Sequence, residues 1–212
     1  MNNTFKMNLL GYFDDSCKDI NKLLNDEALE SSRQRIEYFF NKPLKKFTNE
    51  EFNRYVSSSQ SMNNIGLGSA NEYISEKLIN PLASSKRVFC YGEFLASIEL
   101  CALFAEMLAA FLIISSNEKH KLKNNQIDKL RITEKVKKLK KTKIITDTHE
   151  EIFLFLHEER RKFYHHWYHG HEQIEKAALN VLCKSSILAS DLLDVIDKEE
   201  NIKRVKQYLD NF

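Results

Sequence analysis

The sequence predicts an all-α protein, a multi-helix bundle, on three observations of its composition. Its 212 residues include only 5 Gly and 2 Pro, so it has few residues that favour turns. It contains 25 Leu against 6 Val and 6 Thr, whereas sheets are rich in β-branched residues. Leu, Lys and Glu, all good helix formers, are abundant. These proportions disfavour sandwiches, barrels and doubly wound α/β folds, and the sequence contains no Gly-rich phosphate loop or dinucleotide-binding fingerprint.

Three or four helices are expected in the first 90 residues. The first begins near residues 14–16, extends to Phe40 and ends at Pro43, because proline lacks a backbone donor. Thr48, with Glu51 three residues later, has the spacing of a capping box and predicts the start of the next helix. Residues 57–69 are polar and predict a loop. A short helix over 72–78 is then expected to close before Pro81.

Residues 94–114 form the most apolar segment, long enough to span a bilayer. Glu99 and Glu106 lie on one face well inside it, where lipid would make two carboxylates costly. We therefore expect the central helix of a bundle and no membrane association. Buried acids also need a cationic or hydrogen-bonding partner.

Apolar spacing predicts the remaining helices and a division of the chain into two parts. Helices are expected over residues 126–141, from His149 to Trp167 with Thr146 or Thr148 as the cap, from Glu172 to Leu192, and over 202–209, with Gly170 as a break. We assign residues 1–89 to an N-terminal helical region of unknown role. Residues 90–212 form a second bundle, unless the two parts make one continuous domain.

The charge is distributed unevenly. Residues 119–143 hold 11 Lys or Arg and 2 acids, so a net charge of +2 leaves −7 on the rest of the chain. A basic segment on an acidic molecule suits a polyanion, and Lys137, Lys138, Lys140 and Lys141 are the lysines that we expect to bind it. A solvated helix face would explain the same run of lysines.

The four cysteines are scattered at positions that suit neither a disulfide framework nor a metal site. The first twelve residues lack the features of a signal peptide. A cytoplasmic location follows as an expectation.

Five of the seven histidines fall within HEERRKFYHHWYHGH, residues 157–171. His165 and His169 could share a metal ion, but further ligands would have to come from elsewhere. An aromatic–histidine seam at a helix interface is a second interpretation. The third is RNA cleavage, because histidine can transfer protons near neutral pH and arginine binds phosphate oxygens.

Two overlapping Arg-x4-His pairs occur here, Arg160 with His165 and Arg161 with His166, and the second pair continues to Tyr168. They resemble the HEPN superfamily, all-α proteins defined by an Arg-x4-6-His motif on a late helix of the bundle. The resemblance covers about residues 90–212. It implies a metal-independent endoribonuclease of the toxin–antitoxin or phage-defence type, without a cofactor, acting on RNA as a homodimer and regulated by a cognate antitoxin or defence partner.

The residues assigned to catalysis are Arg160, Arg161, His165, His166, Tyr168 and Glu106. Arg160 shares a helical stripe with apolar residues and so faces a partner helix. The motif arginine of the HEPN superfamily has this position, so the resemblance favours the pairing of Arg160 with His165. Tyr168 favours the pairing of Arg161 with His166, and both pairings are kept. Glu99 or Glu106 can hold the second arginine. Many family members only bind RNA or partners, so a non-catalytic protein-interaction module is the alternative.

Overall fold

The computed structural model describes residues 15–63, 75–116, 122, 124–165, 171–196 and 198–210, and it confirms the all-α class, since these residues include no strand. Its α-helices are α1 (Ile20–Asn25), α2 (Glu30–Phe40), α3 (Asn49–Ser61), α4 (Asn80–Cys90), α5 (Phe94–Ser115), α6 (Asn124–Ile127), α7 (Ile132–Lys141), α8 (Asp147–His165), α9 (His171–Ile196) and α10 (Glu199–Leu209).

The single helix expected up to Phe40 is divided into short segments. The carboxylate of Asp19 accepts hydrogen bonds from the backbone N–H groups of Asn21 and Lys22, so it caps α1. Asp26 accepts from Ala28 N, which starts a 3₁₀ turn before α2. The prediction of one continuous helix was therefore wrong. Pro43 does not end α2 either, because Asn41 already adopts the left-handed conformation at φ 49°.

The capping box at the start of α3 is confirmed. Thr48 Oγ1 accepts from Glu51 N, and the Glu51 carboxylate accepts from Thr48 N. The helix continues to Ser61, so the loop predicted from residue 57 begins too early. A π-helical turn, Ser75–Ile79, leads directly into α4, so the short helix expected over 72–78 does not close before Pro81. Pro81 lies instead in the first turn of α4, a position that suits its fixed φ and missing donor.

Helix α5 lies at the centre and packs against α4, α7, α8, α9 and α10. It is the one helix among those described that is long and apolar enough to cross a membrane. However, 67% of its most apolar stretch is buried inside the protein. A helix that is apolar nearly all round has this position in a bundle core.

The C-terminal half follows the predicted order with one break. The expected helix over 126–141 is two, α6 and α7, because Arg131 is extended and its N–H is bound by the Glu134 carboxylate. Thr146 is the residue that binds the first turn of α8, accepting from His149 N. Gly170, the predicted break before α9, lies outside the described residues.

Buried side chains from both predicted parts belong to one core cluster, which runs from Cys17 to Tyr208. Arg160, near the end of α8, contacts Glu99 near the start of α5. Ile144, just before α8, lies beside Leu112 near the end of α5. The two helices therefore run antiparallel, and this arrangement brings the arginine motif to the two glutamates.

Candidate functional site

Arg160 of α8 bridges the two glutamates of α5. Its Nε donates to Glu99 Oε2 at 2.8 Å, and its Nη1 donates to Glu106 Oε1 at 3.1 Å. The two glutamates lie two helical turns apart, roughly 10 Å along the axis. One guanidinium spans that separation, and its plane is fixed by hydrogen bonds to both acids.

This ionic cluster lies at the surface rather than in the core. The side chains of Arg160, Glu99 and Glu106 are 39%, 30% and 38% exposed. The third guanidinium nitrogen, Nη2, has no hydrogen bond to any described residue. Two carboxylates and one guanidinium give the cluster a net charge of −1.

One atom of the cluster is buried without a partner in the part of the chain that the structure describes, Glu99 Oε1. His157 Nδ1, one turn before Arg160 on α8, is also buried and unpartnered within those residues. A buried acceptor without a hydrogen bond costs about 1–3 kcal/mol. Glu99 Oε1, on the α5 side of the Arg160 bridge, can therefore accept a hydrogen bond that none of the described residues donates.

The arginine held by the glutamates is Arg160, the one whose apolar stripe predicted contact with a partner helix, and not Arg161. Arg161 is 60% exposed, and among the described residues its ion pair is with Glu158 on its own helix. The reason is the helical stripe: Phe153, Leu156 and Phe163 are all buried, and Arg160 shares their face.

The histidines of the motif are only partly described. The backbone of His165 ends α8, while its side chain and all of His166 and Tyr168 lie outside the described residues. Helical geometry places Arg161 and His165, four residues apart, on one face about 40° from each other. Arg160 and His165 are about 140° apart. No cluster of three metal-ligating side chains occurs among the described residues.

The basic helix α7 packs against both α5 and α8, and its buried residues are Ile132, Val136 and Leu139. Lys137 and Lys141 are exposed and Lys138 is half-buried. None of the three makes an ion pair with a residue that the structure describes. No described carboxylate neutralises these three predicted RNA-binding lysines.

Lys140 differs from its neighbours. Its Nζ forms ion pairs with Glu150 and, at 3.0 Å, with Asp147, both at the start of α8. Hydrogen bonds to Glu150 first and then to Asp147 raise the pKa of Lys140. Sequence reasoning missed this pair of acids, although two carboxylates three residues apart directly after a basic helix were visible.

The site therefore consists of a guanidinium fixed by two carboxylates, an exposed arginine beside it, and a basic helix along the first half of α8. No protein-family model matches the chain, and neither do any curated protein or solved structure. The resemblance to the HEPN superfamily accordingly stays a prediction that rests on the motif.

Proposed function

We propose that the protein binds RNA and cleaves it without a metal ion, as a cytoplasmic homodimer of the HEPN type. The observation that supports the proposal is the Arg160 bridge. It holds one arginine of the motif in place at the surface, five residues before His165, and so fixes α8 and the adjacent Arg161 relative to α5.

The chemistry requires a base and a cation. A histidine takes the proton of a ribose 2′-hydroxyl as its oxygen bonds to phosphorus. The bond from phosphorus to the 5′-oxygen breaks, and a second acid, His166 or Tyr168, returns a proton to that oxygen. The products are a 2′,3′-cyclic phosphate and a 5′-hydroxyl end. Arginine stabilises the extra negative charge on the phosphorane-like transition state.

The two arginines have different roles in this proposal. Arg160 already satisfies two carboxylates, and a phosphate that displaced one of them would leave a half-buried negative charge unpaired. Arg160 is therefore a positioning residue that fixes α8 on α5. Arg161, which is exposed and on the face of His165, is the arginine that reaches the phosphate.

The basic helix would bind the RNA on one side of the cleaved bond. Lys140 contacts Glu150, and ten residues separate Glu150 from Arg160, roughly 15 Å along α8. The exposed lysines of α7 thus lie a few nucleotides from the proposed catalytic face. Their contribution is electrostatic and independent of base sequence.

The alternative, a non-catalytic interaction module, is favoured by a different feature. Leu95 and Leu103 of α5 are 39% and 44% exposed, and they lie one turn before and after Glu99. Two exposed leucines around an ionic cluster suit a protein partner, either a second copy or a regulatory protein.

A nuclease assay on the full chain separates the two functions. Replacing His165 and His166 together with Ala should reduce RNA cleavage by about 10²-fold or more while leaving the circular dichroism spectrum unchanged. Arg161→Ala should also reduce cleavage. Lys162→Ala is the matched control, since Lys162 is exposed and pairs with Glu159 on the same helix.

Several outcomes would contradict the proposal. Activity that EDTA abolishes would indicate a metal site. Equal losses for Arg161→Ala and Lys162→Ala would remove Arg161 from the mechanism. A tight complex that Leu95→Gln with Leu103→Gln disrupts, in a protein without nuclease activity, would establish the interaction module.

A further inference from the structure

Helix α8 begins with a capping box in which histidine takes the place of the usual glutamate or glutamine. Thr146 Oγ1 accepts from His149 N at 3.3 Å, and His149 Nδ1 accepts from Thr146 N at 3.3 Å. The two residues bind each other reciprocally, as Thr48 and Glu51 do at the start of α3. An imidazole nitrogen can accept this bond only while it carries no proton. The start of α8 therefore depends on the protonation state of one side chain.

The other ring nitrogen of His149 shows which neutral tautomer fits the structure. Nε2 lies 3.1 Å from Asp191 Oδ2 on α9, and the His149 side chain is 12% exposed. Because Nδ1 accepts from Thr146, the single proton of the neutral ring is on Nε2, which donates it to Asp191. The Asp191 carboxylate is held in turn by the Ser190 hydroxyl, 2.8 Å from its Oδ1. Neutral imidazole thus satisfies both contacts at once.

A second proton on the ring affects these two contacts differently. Protonated Nδ1 and the Thr146 N–H are both donors, so the hydrogen bond between them is lost. The bond from Nε2 to Asp191 becomes charge-assisted and is kept. The ring then stays on α9 while the Thr146 amide is released from it. The next residue, Asp147, belongs to the first turn of α8 and contacts Lys140 at 3.0 Å, so the release occurs where α7 meets α8.

Charged side chains from the surrounding elements act on this ring. They are Lys140 of α7, Lys143 of the turn that follows it, Asp147 and Glu150 of α8, Asp191 and Asp194 of α9, and Arg204 of α10, which lies beside Ile144. The last two turns of α5 contain no ionisable residue. The carboxylates stabilise an imidazolium, whereas the cations and the first N–H groups of α8 oppose it.

We propose that Thr146 and His149 form a pH-sensitive switch at the start of α8. The capping box is closed when the imidazole is neutral, and it loses the bond to the Thr146 amide when the imidazole is protonated. Histidine is the side chain whose charge ordinarily changes between about pH 5 and 8. In the open form Asp147 is no longer held in a fixed first turn, so the clamp on Lys140 depends on Glu150. Acidification thereby frees positive charge on the basic helix.

The experiment is an NMR titration of the ¹⁵N-labelled full chain from pH 8 to pH 5. The Thr146 amide signal should shift with the same midpoint as the ring signals of His149, and the neutral ring should carry its proton on Nε2. The amide of Thr48 is an internal control. Burial raises the pKa of Glu51, but hydrogen bonds from Lys42 and Thr48 bring it below its usual value, so this box should stay closed throughout. A Thr146 signal that does not follow His149, or a neutral ring protonated on Nδ1, would overturn the proposal.

Three variants test the residues of the switch. His149→Gln keeps an acceptor at the same position that takes up no proton in this range, so the Thr146 titration should disappear. Asp191→Asn should keep the titration but move its midpoint to lower pH, because the imidazolium loses a carboxylate partner. His157→Gln, about two turns further along α8, is the matched control and should leave the titration unchanged.

A titration that persists in His149→Gln, or an unchanged midpoint in Asp191→Asn, would contradict the switch. None of these measurements depends on nuclease activity, and the switch uses none of the residues assigned to catalysis. The switch can therefore fail while the RNase proposal stands.

Discussion

Replacing Lys86 with Met should make the stability of the protein less dependent on pH. Lys86 lies in α4 and is 2% exposed. Its Nζ donates to Ser59 Oγ at 2.7 Å and lies 5.1 Å from the ring centre of Tyr55. Burial lowers the pKa of Lys86 from its usual 10.5 to about 8. Met has a similar length and carries no charge.

The direction of this pH dependence follows from the pKa values of Lys86 in the unfolded and the folded chain. Below about pH 8 the lysine is protonated in both folded and unfolded chains, and the folded chain bears the cost of a buried charge, about 3 kcal/mol. Between pH 8 and 10.5 the folded chain loses this proton while the unfolded chain keeps it. The free energy of unfolding of the wild type therefore rises with pH in that window.

The expected change in the free energy of unfolding can be measured by urea unfolding at pH 7 and pH 9. The wild type should gain about 1 kcal/mol relative to Lys86→Met between these pH values. At pH 7 the variant should be more stable by about 1–2 kcal/mol, because the cost of the charge exceeds the lost hydrogen bond. Burial also raises the pKa values of Cys90 and Cys101 to about 11, but both thiols are present in both proteins.

Lys45→Met, at an exposed position, is the matched control and should follow the wild type at both pH values. Parallel curves for the wild type and Lys86→Met would refute the reasoning. They would show that the ammonium group keeps its usual affinity for protons inside the fold, through water or a polar neighbour that offsets its burial.

Three further outcomes are expected. Thr48→Ala should lower the free energy of unfolding by about 1 kcal/mol in urea, because it removes half of the capping box. Arg160→Gln should cost about 1–2 kcal/mol in the same assay, since it leaves two partly exposed carboxylates unpaired, and a smaller loss than for Thr48→Ala would deny the bridge a structural role. Reversing the charge of Lys137 and Lys141 should make the slope of log RNA affinity against log salt concentration less negative, by roughly 0.7 per lost phosphate contact. Reversing the charge of Lys140, which is already paired with Glu150, should change this slope less.

The fold could be predicted from the sequence where one physical rule dominated. Leucine content and scarce breakers were enough for the all-α class, and the 94–114 segment is α5 within one residue. The predictions failed at helix ends, where local hydrogen bonds compete. Asp26 and Asn41 each stop a helix by their own side-chain or backbone preferences, and neither signal stands out from the sequence in the way that Pro43 does.

The candidate site was predictable only in part, for a related reason. The stripe of Phe153, Leu156 and Phe163 indicated that Arg160 faces the core, and the spacing of Glu99 and Glu106 indicated a need for a cation. Which arginine meets which acid depends on the antiparallel packing of α5 and α8, and no single-helix pattern contains that information.

The two ends of α8 show the same arrangement of charge. At its start, Asp147 and Glu150 bind Lys140, one lysine of a basic run. Towards its end, Glu99 and Glu106 bind Arg160, the first arginine of the motif. In both places one cation is held by two carboxylates, while the adjacent cations Lys137, Lys141 and Arg161 have no such pair among the residues that the structure describes. A count of basic residues therefore overstates the positive charge that is available to a polyanion. A phosphate chain on this surface would contact the neighbouring residues Lys137, Lys141 and Arg161 instead.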